Sequence, residues 1–172
     1  MNSNDLREKL IIPAVVGALY AALTMLLAPI SYGNLQFRIS EALCVLPVFF
    51  PYTSVGLFLG CALANMISAA GILDIIFGSL ATLIACLCIS WCGKHNKKAL
   101  ACLMPVIWNG LIVGAMLTVV VAGLNPIKNF GAFAVFAGEV ALGEAAVMFI
   151  AGLPLLSWLP KQKFFADYVS RS

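Results

Sequence analysis

Five ionisable residues stand in or beside the long apolar runs of this sequence: Arg38, Glu41, Asp74, Glu139 and Glu144. A charged side chain at the centre of a bilayer costs at least about 2.5–3.5 kcal/mol on insertion scales, so residues of this kind point to buried pairing or to ligand binding. The set amounts to four acids for one nearby base. Arg38 and Glu41, three apart, can meet on one face of a helix start, as a structural ion pair or as part of a site. Asp74 follows the glycine turn at Gly71 and is open to two readings, a cap on the helix it begins or a buried polar group. Glu139 and Glu144 lie five apart, which on a straight helix separates them by about 140°. One is therefore expected to reach a ligand, with Glu144 the first choice, and the other to pair with a neighbouring helix. Gly138 and Gly143 precede them and permit close packing or local distortion. Asn65 and Asn109 fall mid-helix, as interhelical glue or as ligand contacts.

The elements that must position these residues are read from hydropathy. Of 172 residues, 63% are hydrophobic and only 10% charged, against about 45–50% and about 25% in soluble domains. So few charges cannot cover a water-soluble surface, and the expected fold is an all-α integral membrane protein. Crossing the hydrocarbon core takes roughly 20 apolar residues. The expected helices are 10–30, 39–50, 52–70, 73–91, 100–121 and 130–159, a single transmembrane domain over residues 1–172. Pro13 is expected in the first turn of the first helix, where its missing N–H is tolerated. The second run carries Pro47 and is too short for an ordinary α-helical crossing, so it must start within a leaflet, be overwound or borrow from its neighbours. Gly152-Leu153-Pro154 predicts a kink in the last helix. Asp5, Arg7, Glu8 and Lys9 lead into an apolar run without a small-residue cleavage site, so no cleavable signal peptide is expected.

Six crossings place the N-terminus, the loop at 94–98 and the C-terminal tail on one side. That side then holds Arg7, Lys9, Lys94, Lys97, Lys98, Lys161, Lys163 and Arg171, eight of the ten basic residues. Positive charge in short loops marks the cytoplasmic face, so both termini are expected there. Ala14, Ala18 and Ala22 form a stripe of small residues along the first helix, the kind of surface that lets another backbone approach closely, within the bundle or outside it. The six cysteines include no C-x-x-C pair, and the lone histidine, His95, sits in a basic loop, so neither a metal centre nor a disulfide framework is expected. The sequence has no P-loop and no H-E-x-x-H. It also lacks an arginine-rich voltage sensor and a filter-like glycine loop.

Four stretches carry a family resemblance: residues 28–43 (APISYGNLQFRISEAL), 73–83 (LDIIFGSLATL), 109–114 (NGLIVG), and Gly143-Glu144 leading to Gly152-Leu153-Pro154. Together they resemble the QueT family, substrate-binding S components of energy-coupling-factor (ECF) transporters assigned to queuosine precursors. The resemblance runs over about residues 10–157. It implies a six-helix bundle with cytoplasmic termini in the bacterial cell membrane and a pocket opening outward under a lid at Ser31 to Arg38. The implied partners are a transmembrane coupling protein and two ATPase subunits. ATP is used by those partners, and this chain needs no cofactor of its own. The alanine stripe Ala14, Ala18 and Ala22 becomes the expected docking face for the coupling protein. A 7-deazaguanine presents an N–H and an amino group side by side, and a carboxylate can accept both. Queuine and its aminomethyl precursor add a cationic amine, which suits a pocket with more acids than bases. The expected substrate contacts are Glu144, Glu139, Asp74, Glu41, Arg38, Asn109, Gln36 and Phe37. Phe37 and Trp108 are candidate stacking surfaces or packing residues.

Two other classes compete. A structural or assembly membrane protein would use the same acids only to pair with partner helices. An intramembrane enzyme would need a nucleophile–base pair or a ligand set, and the sequence supplies neither. The expected protein is not an enzyme, and no nucleic-acid partner is implied.

Overall fold

A computed structural model describes residues 3–33, 36–163 and 165, with side chains from Lys9 onward. Among the described residues the chain is all-helical. It runs as α1 (Ser3–Leu26), α2 (Ala28–Ser31), a 3-10 helix (Ile39–Val48), α3 (Thr53–Asn65), a π-turn (Asp74–Gly78) leading into α4 (Ser79–Lys94), and α5 (Lys98–Val120). The last helix is α6 (Phe130–Val147), a second π-turn (Met148–Gly152), α7 (Leu153–Trp158) and a short 3-10 turn (Leu159–Lys161). Four helical stretches are long and apolar enough to cross a membrane: Lys9–Leu26, Asp74–Lys94, Lys98–Val120 and Phe130–Lys161. Two apolar helices, Ile39–Val48 and Thr53–Asn65, are shorter.

Several expected boundaries move, each for a local reason. Pro13 lies well inside α1, because the helix begins at Ser3. In lipid such an interior proline is tolerated when neighbouring helices meet the freed backbone groups. The second run is overwound: ten residues of 3-10 helix, at about 2.0 Å rise, reach about 20 Å, where an α-helix would reach about 15 Å. The third helix ends at Asn65 rather than at 70, since the chain turns at Gly71, whose φ of +63° suits glycine. The expected kink near Gly152 is a π-turn ending there, with Pro154 in the first turn of α7.

Packing follows from small residues. Pro13 and Gly17 of α1 face Gly56 and Gly60 of α3 backbone to backbone. A Cβ on Gly56 would lie 2.6 Å from the Pro13 carbonyl carbon, and one on Gly60 2.9 Å from that of Gly17. On the other side of the bundle α5 packs on α6, where a Cβ on Gly114 would lie 2.6 Å from the Cα of Ala137. The bundle's apolar core is built around Tyr20, Leu57 and Ile89 at one end, with Val113, Leu117 and Val140 in a second cluster. All six cysteines are free.

Candidate functional site

Burial gathers the polar residues into the middle of the bundle. Arg38, at the start of the 3-10 helix, is 3% exposed and Asp74 is 1% exposed, and they pair at 3.4 Å through Nη2 and Oδ2. The pairing Arg38–Glu41 anticipated from their spacing of three does not form. The 3-10 backbone turns Glu41 toward α1 instead, where its Oε1 accepts from the Tyr20 hydroxyl and its Oε2 from the Cys44 thiol at 3.0 Å. Thr24 and Ser40 meet at 2.6 Å one turn along, so α1 and the 3-10 helix are fastened by polar contacts. Asp74 does not cap its helix; the π-turn that contains it directs the carboxylate into the bundle, toward Arg38. Asn65, at the end of α3, donates to the Asp74 carbonyl at 2.9 Å, bridging the two segments across the Gly71 turn. Gly78 makes this possible, for a Cβ there would lie 2.6 Å from Asp74 Oδ1 and 2.7 Å from Asn65 Nδ2.

A second pair comes from the opposite side of the bundle. Asn109 of α5 donates through Nδ2 to Glu144 Oε1 of α6 at 2.7 Å. Both residues are 3% exposed. Helix α6 also packs against the 3-10 helix that carries Glu41, which brings the two pairs into the same part of the bundle. Glu139 is only half-buried and takes no part in these hydrogen bonds, as its position on another side of α6 requires.

Seven buried side-chain atoms among the described residues lack a hydrogen-bond partner, and five belong to this centre: Arg38 Nε, Asn65 Oδ1, Asp74 Oδ1, Asn109 Oδ1 and Glu144 Oε2. A buried polar group left unsatisfied costs about 1–3 kcal/mol, and native interiors rarely keep several together. Four of the five are acceptors on carboxylate or amide oxygens, and one is a guanidinium donor. Such a set is what a bound polar molecule with several N–H groups would complete.

Toward one end lies a cavity of ≈ 340 Å³ whose lining includes Tyr32, Gly33, Gln36, Ser68, Leu117 and Phe136. Tyr32 lines this cavity and also approaches Arg38: its hydroxyl donates to the Ala64 carbonyl, and the Arg38 guanidinium sits 5.7 Å from its ring centroid. Gln36 is buried with a left-handed φ of 44°, and Phe37 is half-buried, its N–H donating to the Ile30 carbonyl at 3.2 Å. Within the segment expected to form a lid, Asn34 and Leu35 lie outside the described residues, as does Arg171 of the basic tail. Trp108 is half-buried on α5, beside Asn109.

Sequence reasoning passed over Tyr20, Cys61 and Thr82. Cys61 Sγ lies 3.8 Å from Arg38 Nη1, 3.5 Å from Asn65 Nδ2 and 3.4 Å from Thr82 Oγ1, so three donors converge on one thiol. Tyr20 and Thr24, four apart in the apolar part of α1, gave a signal that spacing alone could have found. Ala14, Ala18 and Ala22 are all exposed, because α1 packs on α3 through the neighbouring Pro13 and Gly17. Ala14 and Ala18 line an apolar groove with Val55, Leu59 and Leu63 of α3.

Residues 10–161 match the family described as QueT transporters. Over 73 residues the chain is 41% identical to the queuosine precursor transporter QueT of Lactococcus lactis subsp. cremoris (strain MG1363), an alignment covering 41% of this chain and 43% of that protein. The chain thus aligns with less than half the length of that relative. No solved structure matches it. With the family match running through every helix from α1 to the end of the last, this chain belongs to the QueT transporter family.

Proposed function

We propose that the protein is the substrate-binding S component of an ECF-type importer and that it binds a queuosine precursor or related 7-deazaguanine. The observation that carries this reading is the group of five unpaired polar atoms on Arg38, Asn65, Asp74, Asn109 and Glu144, buried in an apolar bundle. The Asn109–Glu144 pair keeps one bare oxygen on each partner, two acceptors for the adjacent N–H and amino group of a deazaguanine edge. Arg38 Nε offers a donor to a ring carbonyl. A family of transporters, with a relative named for queuosine precursors, supplies the substrate class.

In this reading the chain crosses the cell membrane six times with both termini in the cytoplasm, the two short apolar helices completing the count. Substrate enters from outside past Tyr32 and Gln36, whose segment acts as a lid. The exposed stripe Ala14, Ala18 and Ala22 docks a transmembrane coupling protein, whose two ATPase subunits drive release inward. Small side chains and the apolar groove beside them favour close approach of another helix.

The test is equilibrium binding of queuine to the purified, detergent-solubilised chain, with guanine and riboflavin as controls and Glu144→Gln alongside. Saturable binding selective for the deazaguanine is expected, weakened at least ~10-fold in the variant, since a charge-assisted bond contributes about 1.5–3 kcal/mol. A folded chain that binds no deazaguanine would refute the substrate class.

A further inference from the structure

We propose that the turn joining α4 to α5 holds an anionic phospholipid, with an acyl chain in a groove beside Trp91 and the headgroup phosphate against Lys97 and its neighbours Lys94 and Lys98. The proposal concerns the outer face of the bundle and does not rest on the substrate. The groove has a volume of ≈ 360 Å³ and is lined by Leu87, Cys88, Trp91 and Cys92 of α4 and by Leu100 and Met104 of α5. Leu87 is 57% exposed and Trp91 51%, so this wall is open to lipid and is not covered by another helix of the chain. Leu87 stands seven residues before Lys94, about 10 Å along a helix axis. The groove therefore runs from the level of the lysines toward the hydrocarbon.

Positive charge sits at one end of that groove. The Lys97 ammonium lies 5.4 Å from the Trp91 ring centroid, and the His95 ring lies 4.3 Å from it. His95 Nδ1 donates to the Trp91 carbonyl at 2.8 Å, and the Lys97 N–H donates to the Cys92 carbonyl at 3.0 Å, so the turn is folded back onto the groove's aromatic wall. Lys97 and Lys98 also line a second cavity of ≈ 320 Å³ with Gly93 and Asn96, which gives a headgroup room beside the ammonium groups. Among the described residues, none of Lys94, Lys97 and Lys98 pairs with a carboxylate. No Asp or Glu occurs in the sequence between Asp74 and Glu139. Helix α5 begins without a capping side chain, so the backbone N–H groups of its first turn add partial positive charge at the same place. An acidic peptide would match the lysines and not the apolar groove, and a neutral lipid would match the groove and not the lysines. A molecule with a negative head and an apolar chain matches both, and basic pockets between membrane helices are known seats for such headgroups. Because α4 and α5 build this groove, a lipid here leaves free the α1–α3 groove that carries Ala14 and Ala18.

The experiment is tryptophan quenching in the full chain reconstituted into phosphatidylcholine bilayers. The probes are phosphatidylglycerol and phosphatidylcholine with brominated acyl chains, each added over a range of mole fractions. The share of quenching that disappears in Trp91→Phe reports the groove, separating it from Trp108 and Trp158. For that share, phosphatidylglycerol is expected to bind at least ~5-fold more tightly than phosphatidylcholine, about the attraction of one lysine for an anionic headgroup. The ratio should fall toward one when Lys94, Lys97 and Lys98 are all replaced by Gln, and part of the way in Lys97→Gln alone. It should hold in Lys161→Gln combined with Lys163→Gln, which removes charge from the same end of the bundle. A ratio near one in the parent would overturn the proposal, since any lipid chain would then fill the groove. An equal fall in the Lys161 and Lys163 variant would also overturn it, by showing attraction to the basic face at large. So would the absence of any quenching assigned to Trp91.

Discussion

Asp74→Asn provides the sharpest test of how the centre is held together. The substitution keeps volume and shape and removes one charge, leaving Arg38 buried at 3% exposure. At 3.4 Å, two unit charges interact by about 5 kcal/mol at an effective dielectric of about 20. Breaking a buried pair from one side costs about 3–5 kcal/mol in measured cases, because the remaining charge is left without compensation. The two estimates agree, and Arg38 has little else to turn to, since its Nε is unpaired and its Nη1 lies 3.8 Å from a sulfur. The expected loss corresponds to a fall in melting temperature of about 6–20 °C for a chain of this size. The assay is thermal unfolding in detergent, followed by tryptophan fluorescence. Alongside it, Arg38→Met combined with Asp74→Leu removes both charges and should recover most of the lost stability, because apolar replacement of a buried pair is often neutral. Deazaguanine binding should stay weaker than the parent's in the double variant, which lacks both the Arg38 donor and the Asp74 acceptor. An Asp74→Asn protein melting within 2 °C of the parent would refute the pairing, as would a double variant less stable than the single one.

Other expectations follow from the same geometry. Gly56→Ala should destabilise the bundle by about 1–3 kcal/mol, because the new Cβ meets the Pro13 backbone of α1, which cannot swing aside as a side chain would; a melting curve checks it. Replacing Ala14, Ala18 and Ala22 by leucine should leave stability within about 0.5 kcal/mol per site and leave deazaguanine binding intact, since all three are exposed. The same variant should no longer co-purify with the coupling protein and its ATPases, and retained co-purification would show that docking lies elsewhere. Asn109→Leu should weaken ligand binding by roughly tenfold or more and also cost stability, as it leaves Glu144 without its donor. Glu139→Gln should change queuine affinity less than twofold in equilibrium binding, because Glu139 stands apart from the polar centre.

The sequence by itself determined the solvent and the helices. A chain with 63% hydrophobic residues and so few charges has only lipid to face, and its backbone must then close its own hydrogen bonds, which in such a chain means helix. It also marked the costly residues, since an acid in an apolar run is costly wherever the helix ends up; Glu41, Asp74 and Glu144 are buried, whereas Glu139 is half-buried. The length of the second run made overwinding one of its few options, and ten residues of 3-10 helix is what formed. Partners were another matter. The spacing of Arg38 and Glu41 suggested a local pair, yet Arg38 reaches Asp74, thirty-six residues away, and Glu41 reaches back to Tyr20. Spacing along one helix fixes which side chains share a face, but only the packing of helices fixes what that face meets. In the same way the stripe Ala14, Ala18 and Ala22 on α1 left open whether it is used inside the bundle or outside it. The glycines of α3 meet Pro13 and Gly17, and so leave Ala14, Ala18 and Ala22 on the surface. The five unpaired atoms of the centre were invisible beforehand for the same reason, since whether a polar atom is satisfied depends on every neighbour brought by the tertiary fold.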